Sequence, residues 1–239
     1  DSYNVIEDNV IIGDNVKIGS FNTISQFTEV GNDCHIINSS SIGAIWSSCS
    51  PDFGINGVID RFGQIEPKVL FACNGYYYNG KALDSSQRVS EICRQIPSIQ
   101  QRIIVPIIDI DTDVPDSQKY SDFLLTENTP SLEFEQLPFD HPLYIVYSSG
   151  TTGVPKCIVH GAGGTLLQQL KEHRLHVDLR SDDVLFYFTT CGWMMWNWLA
   201  AGLGSEATLV LYDGAPFFPN SSACLLYTSD AADEGLGVD

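Results

Sequence analysis

The chain has 239 residues and a formal net charge of −18 at pH 7, with 12 Lys and Arg against 30 Asp and Glu. Such a charge repels nucleic acid and anionic membrane surfaces and argues against both as partners. No apolar run reaches bilayer-spanning length, the most apolar stretch, Trp193–Leu203, being short and interrupted by Asn197. Seven cysteines are scattered without a C-x-x-C pair, which implies reduced thiols and a cytosolic location.

The N-terminal segment carries its own period. Ile6, Ile12, Ile18, Ile24, Val30 and Ile36 recur every six residues, and Gly13, Gly19 and Gly31 follow three of them. Amphipathic strands would alternate with period two and lack the regular turn glycines. The repeat predicts a short left-handed parallel β-helix over residues 1–38, each hexamer forming one flat face with its aliphatic pointing inward. It resembles the hexapeptide acyltransferases, in which a histidine acts as base; His35 is the only histidine of this segment. Fewer than two coils leave both ends of such a core open to water, so the segment is not expected to stand alone.

From about residue 39 the pattern changes to α/β. Ile55, Val58, Ile59, Phe62 and Ile65 form one helical face ending before Pro67, and Lys68–Ala72 follows as a strand. Val89, Ile92, Cys93 and Ile96 predict a second amphipathic helix, and Ile103–Ile108 a strand with Pro106 near its end. Asp109–Asn128 is a polar excursion without a period. Strands are then predicted over Leu143–Tyr147 and Cys157–His160. A Gly161–Gly164 turn leads to a helix over Thr165–His176, and strands follow over Val184–Phe188 and Ala207–Tyr212. Alternation of this kind implies a largely parallel sheet covered by helices.

Between two of those strands lies the loop YSSGTTGVPK, Tyr147 to Lys156. It gathers backbone N–H groups, hydroxyls and one ammonium around glycines that let a polyphosphate approach the main chain. It is not a Walker loop, because Lys156 is neither preceded by Gly nor followed by Ser or Thr. The loop resembles the ATP-phosphate loop of the acyl-adenylate-forming enzymes. Its flanks are similar to the acetoacetyl-CoA synthetase branch, through Gly43–Gly54, Asp60–Phe71, Tyr78–Lys81, Leu132–His173, Gly192–Leu199 and Ala207–Phe217.

The resemblance implies that residues 39–223 are a fragment of the large N-terminal domain of an adenylate-forming enzyme. Such enzymes join a carboxylic acid, here acetoacetate or a similar short acyl acid, to coenzyme A at the expense of ATP. It assigns Ser148, Ser149, Gly150, Thr151, Thr152, Gly153 and Lys156 to the β- and γ-phosphates, and Thr151 or Thr152 to the vicinity of Mg²⁺. Trp193 and Trp196 fall on the family's acyl-pocket aromatic motif, though Trp and Met at that spacing also suit a core helix. His173 and His176, at i and i+3 on a predicted helix, form a possible metal pair; without a third ligand a solvated or capping role is expected.

After Ala223 the similarity stops. Cys224–Asp239 resembles a translated sequencing adapter and is set aside from fold reasoning. The family's adenine motif, ribose-binding Asp and C-terminal lysine do not occur in the chain, which is therefore expected to be inactive by itself. The alternatives are a hexapeptide-repeat acetyltransferase fragment and a non-catalytic fusion.

Overall fold

The computed structural model describes residues 43–111, 113–124, 135–148, 153–211, 215 and 218, and the backbone of six two-residue strands before them. Those strands are β1 (Val5–Ile6), β2 (Ile11–Ile12), β3 (Lys17–Ile18), β4 (Thr23–Ile24), β5 (Glu29–Val30) and β6 (His35–Ile36). They pair in parallel as β1 with β4, β2 with β5 and β3 with β6. In the register Ile6 lies opposite Ile24, Ile12 opposite Val30 and Ile18 opposite Ile36. Every pair thus joins residues three hexamers apart.

The chain divides into two compact units. One comprises Asp1–Ser48, Pro130–Val146 and Val159–Leu211. Its first strand after those six is β7 (Trp46–Ser47). The other comprises Cys49–Thr129, Tyr147–Ile158 and Tyr212–Asp239.

The second unit begins with α1 (Ile55–Ile65), whose apolar residues follow the period read from the sequence. It stops because Glu66 turns into the left-handed region (φ 47°) just before Pro67, with the Glu66 N–H donating to the Phe62 carbonyl. β8 (Val69–Cys73) comes next, then an antiparallel hairpin of β9 (Gly75–Tyr78) and β10 (Lys81–Asp84). Asn79 and Gly80 form its two-residue turn, both at positive φ (49° and 72°), the geometry that favours an Asn-Gly pair. α2 (Ser86–Gln95) starts where the Asp84 carboxylate accepts the Ser86 N–H at 2.7 Å. β11 (Gln101–Val105) pairs in parallel with β8 and, on its other edge, with β12 (Gln118–Lys119), which runs into the one-turn helix α3 (Tyr120–Phe123). The core joins Val58 and Phe62 of α1 to Val89, Ile92 and Cys93 of α2 and to Ile96, Ile99, Ile104 and Val114.

In the first unit β13 (Pro142–Tyr147) pairs in parallel with β7, and β14 (Cys157–Gly161) flanks it on the other side. α4 (Ala162–Lys171) continues into a π-helical turn over Glu172–His176. β15 (Val184–Phe186) pairs in parallel with β16 (Thr208–Val210), and between them stand α5 (Met194–Ala201) and a 3-10 turn, Gly202–Ser205. Leu179, Leu185, Leu199 and Ala207 form the core of this half.

Several expectations are corrected. The parallel strands form separate two- and three-stranded pieces among the described residues instead of one continuous sheet. The strand expected to reach Ile108 ends at Val105, because Pro106 has no N–H for a ladder. The polar excursion holds β12 and α3. The Gly161–Gly164 turn is instead the first turn of α4, with Gly161 as its N-cap in extended conformation.

Candidate active site

The loop between β13 and β14 is closed at its base by two hydrogen bonds. The Ser148 N–H donates to the Lys156 carbonyl at 3.0 Å, and the Lys156 N–H donates to the Ser148 hydroxyl oxygen at 2.9 Å. Ser148 therefore clasps the loop through its oxygen and keeps its hydroxyl proton free to donate. The exit of the loop is held by α1, since the Gln64 side-chain amide donates to the Pro155 carbonyl at 2.7 Å, and Pro155 itself is buried. At the entry, the Arg61 guanidinium lies 5.8 Å from the Tyr147 ring centre and 4.8 Å from that of Phe53, both in cation–π range.

Gly153 has φ 144°, a conformation that L side chains rarely adopt, and among the described residues no atom lies within 4 Å of where a Cβ would stand. No described side chain therefore blocks the main chain at Gly153, which is what the approach of a phosphate requires. Lys156 is exposed, and its ammonium meets no carboxylate among the described residues. An unpaired cation beside an open, glycine-shaped main chain fits a polyphosphate. Ser149, Gly150, Thr151 and Thr152 lie outside the described residues, and so does the choice between the two threonines.

Trp193 is the N-cap residue of α5 and is 65% exposed, whereas Trp196 is half-buried one turn later. The Trp196 N–H donates to the Trp193 carbonyl at 3.1 Å, and the Trp193 N–H to the Thr190 carbonyl at 3.0 Å. Trp193 thus belongs to neither core cluster among the described residues. On the same helix Trp198 and Leu199 do pack inward.

The histidine pair separates. The π-helical turn carries His176 to the surface while His173 is fully buried, so the two do not share a face and the solvated role expected for His173 is wrong. Among the described residues there is no group of three or more His, Cys, Asp or Glu able to hold a metal ion. The side chain of His35, in β6, lies outside the described residues. No described helix is long and apolar enough to cross a membrane, and among the described residues Cys73, Cys93 and Cys157 are free thiols.

A cavity of about 800 Å³ opens by α2 and β11, lined in part by Arg88, Arg94 and Arg102. All three guanidiniums already have acceptors, in the Pro51 carbonyl, Glu91, and the Pro115 carbonyl with Asp116. None of the residues expected from the loop or the aromatic motif lines it. Sequence reasoning also passed over Gln64 and Arg61, the α1 residues that brace the loop. Their spacing on a face next to the apolar stripe was the only signal available.

Known proteins share this arrangement. The profile of the family described as AMP-binding enzyme matches residues 39–229. The acetoacetyl-coenzyme A synthetase of Rhizobium meliloti (strain 1021) is 54% identical over 198 residues, covering 81% of this chain and 30% of the relative. A malonamoyl-CoA synthetase of Penicillium aethiopicum is 46% identical over 192 residues, covering 77% and 27%. The structure of an acetoacetyl-CoA synthetase from Streptomyces lividans superposes with a TM-score of 0.74 at 42% identity, covering 80% of this chain and 29% of that one. The chain spans about 30% of the length of the curated relatives it matches. With its fold, its loop and its profile in agreement over most of its length, the chain belongs to the AMP-binding enzyme family.

Proposed function

We propose that this chain is the phosphate-loop part of an AMP-forming acid–CoA ligase acting on acetoacetate or a short acid of the same shape. The observation that carries the reading is the clasped loop: Ser148 and Lys156 hold its ends together, and the exposed Lys156 ammonium meets no carboxylate among the described residues. Carboxylates are poor acyl donors because their leaving group is poor, and adenylation by ATP supplies a better one, AMP, which the thiol of coenzyme A displaces. The chain's share of that work is to hold the triphosphate tail. Backbone amides of Ser149–Gly153 give directional hydrogen bonds, the hydroxyls add donors, and Lys156 supplies a point charge. Thr151 or Thr152 would be the hydroxyl beside Mg²⁺, which would neutralise charge on the same phosphate oxygens.

The names of the relatives narrow the acyl group. Acetoacetyl and malonamoyl both carry a carbonyl on the third carbon, with a methyl in one where the other has an amino group of similar size. Trp193 and Trp196 are the residues of the aromatic wall for such a chain, limiting its depth and excluding water. Residues 1–38 are read as a coil of a left-handed parallel β-helix, supported by the three-hexamer offset of its strand pairs. Cys224–Asp239 is read as a non-native, adapter-derived tail, although the family profile extends beyond the expected limit at Ala223 to residue 229. A cytoplasmic location accords with the free thiols.

Grafting residues 39–223 into the matching span of the Rhizobium meliloti relative tests the reading. Acetoacetate-dependent ATP–pyrophosphate exchange is expected, with malonamate accepted and acetate and long acids poor. A charge-assisted hydrogen bond contributes about 1.5–3 kcal/mol, so Lys156→Ala should reduce exchange by roughly ten- to a hundredfold. A graft that unfolds cooperatively yet shows no exchange, or that prefers acetate, overturns the reading.

A further inference from the structure

The segment from α4 to the π-helical turn is built inside out. Leu166, Leu167 and Leu175 are 53, 61 and 77% exposed, whereas Gln169 and His173, four residues apart on one face, are buried. The His173 ring centre lies 4.7 Å from that of Trp198 on α5, with 59° between the planes. Trp198 in turn meets Tyr187 edge-on at 5.8 Å. The Leu179 N–H donates to the His173 carbonyl at 2.8 Å and fixes the backbone there.

Neither imidazole nitrogen has a hydrogen-bond partner among the described residues. An apolar ring of similar shape would fill the same space without stranding two polar atoms, so packing alone does not account for a histidine here. The elements packed on it supply no charge to hold a proton. α5, the Gly202–Ser205 turn and β15 contain no ionisable residue. On its own segment Glu172 is paired with Lys171 at 2.9 Å, and the Arg174 guanidinium donates to the Ser205 carbonyl at 3.2 Å. Burial pushes the His173 pKa below its ordinary 6.5, outweighing the Trp198 backbone and Glu172, which both favour the charged ring, so the ring is neutral at pH 7.

We propose that His173 is a positioning residue for α5: as a neutral ring seated on the Trp198 indole it sets the helix whose start carries Trp193 and Trp196, and it releases that helix on taking up a proton. What the helix then positions rests on the reading of Trp193 and Trp196 as acyl-pocket residues. The sign follows from linkage. The released state binds the proton more readily than the packed one, so the stack contributes fully above pH 6.5 and is lost as pH falls below it.

Near-UV circular dichroism of the full chain between pH 8 and pH 5 tests this without any acyl ligand. The wild-type indole signal should be constant above pH 6.5 and fall below it. His173→Phe keeps a ring against Trp198 and should hold the pH 8 signal across the range, while His173→Ala should show the reduced signal at every pH. Trp198→Phe should remove the pH-dependent component. A His173→Phe variant that titrates like wild type, or a His173→Ala variant that keeps the full signal at pH 8, overturns the proposal. Should the alanine variant not fold, the phenylalanine profile alone decides it. The pocket reading fails separately, as unchanged acyl selectivity in a Trp193→Ala ligase graft.

Discussion

Asn74 sits 1% exposed between β8 and β9 and serves four distant backbone groups. Its side-chain nitrogen donates to the Ile108 and Ile110 carbonyls at 2.7 and 3.4 Å, and its side-chain oxygen accepts the N–H groups of Ile107 and Ile108 at 2.8 and 3.1 Å. The two N–H groups follow Pro106, where the strand ladder has stopped, and have no ladder partner, whereas the Ile108 carbonyl also accepts the Ile110 N–H at 2.9 Å. Asn74→Ala would strand both N–H groups, and a loss of about 2–4 kcal/mol is expected in urea unfolding of the chain. A loss under about 0.5 kcal/mol would show that water replaces the amide. Lys156 and Asn74 mark the two extremes of what a sequence displays. The lysine stands in a string whose composition states its chemistry. The asparagine stands in CNGYYY, where nothing announces that its partners lie more than thirty residues away.

Elements were legible where burial follows period. α1 and α2 bury the residues their spacing marks, because each packs one face onto β11 and the loops beside it. The β9–β10 hairpin was missed although Asn79-Gly80 is a strong short-range hairpin signal. Tyr77 and Tyr78 are both more than half exposed, so no alternation of polar and apolar residues frames the turn. α4 departs from the period, since Leu166 and Leu167 are exposed while Gln169 is buried. Glycines inside these elements differ by what a Cβ would meet. Gly164, in the first turn of α4, meets nothing within 4 Å, and Gly164→Ala should stabilise by about 0.5–1 kcal/mol. At Gly163 the new atom would lie 2.1 Å from the Phe139 ring, but that ring is 64% exposed and can swing aside, so the cost is about 1 kcal/mol. At Gly75 it would meet Ile108 at 2.2 Å and the Leu83 carbonyl oxygen at 2.5 Å, and backbone cannot step away; about 3 kcal/mol is expected. Thermal midpoints should therefore rank Gly164→Ala above wild type, Gly163→Ala just below it, and Gly75→Ala lowest. Any other order would mean that the close contacts at Gly163 and Gly75 do not limit packing.

At the scale of the whole molecule two periods meet without a shared register. β1 to β6 pair only with one another among the described residues, three hexamers apart, while β7, ten residues after β6, pairs with β13. The six-residue phase runs on through Ile36 to Ile42, and the family profile begins at residue 39. The change of period, the change of pairing partner and the start of family similarity therefore coincide within a few residues. A repeat that stacks coil on coil has no use for a partner strand from an α/β sheet, because its ladder bonds go to the coils above and below. Two folding patterns whose period, strand partners and family similarity all change at one boundary are expected to have been joined there from separate reading frames. The test is sequencing of the source DNA across codons 36–44. Reads that leave the repeat at that boundary and continue upstream into other sequence are expected. Reads running unbroken through it from a single genomic locus would make the repeat a native extension of this ligase-like chain and would sink the idea of a junction.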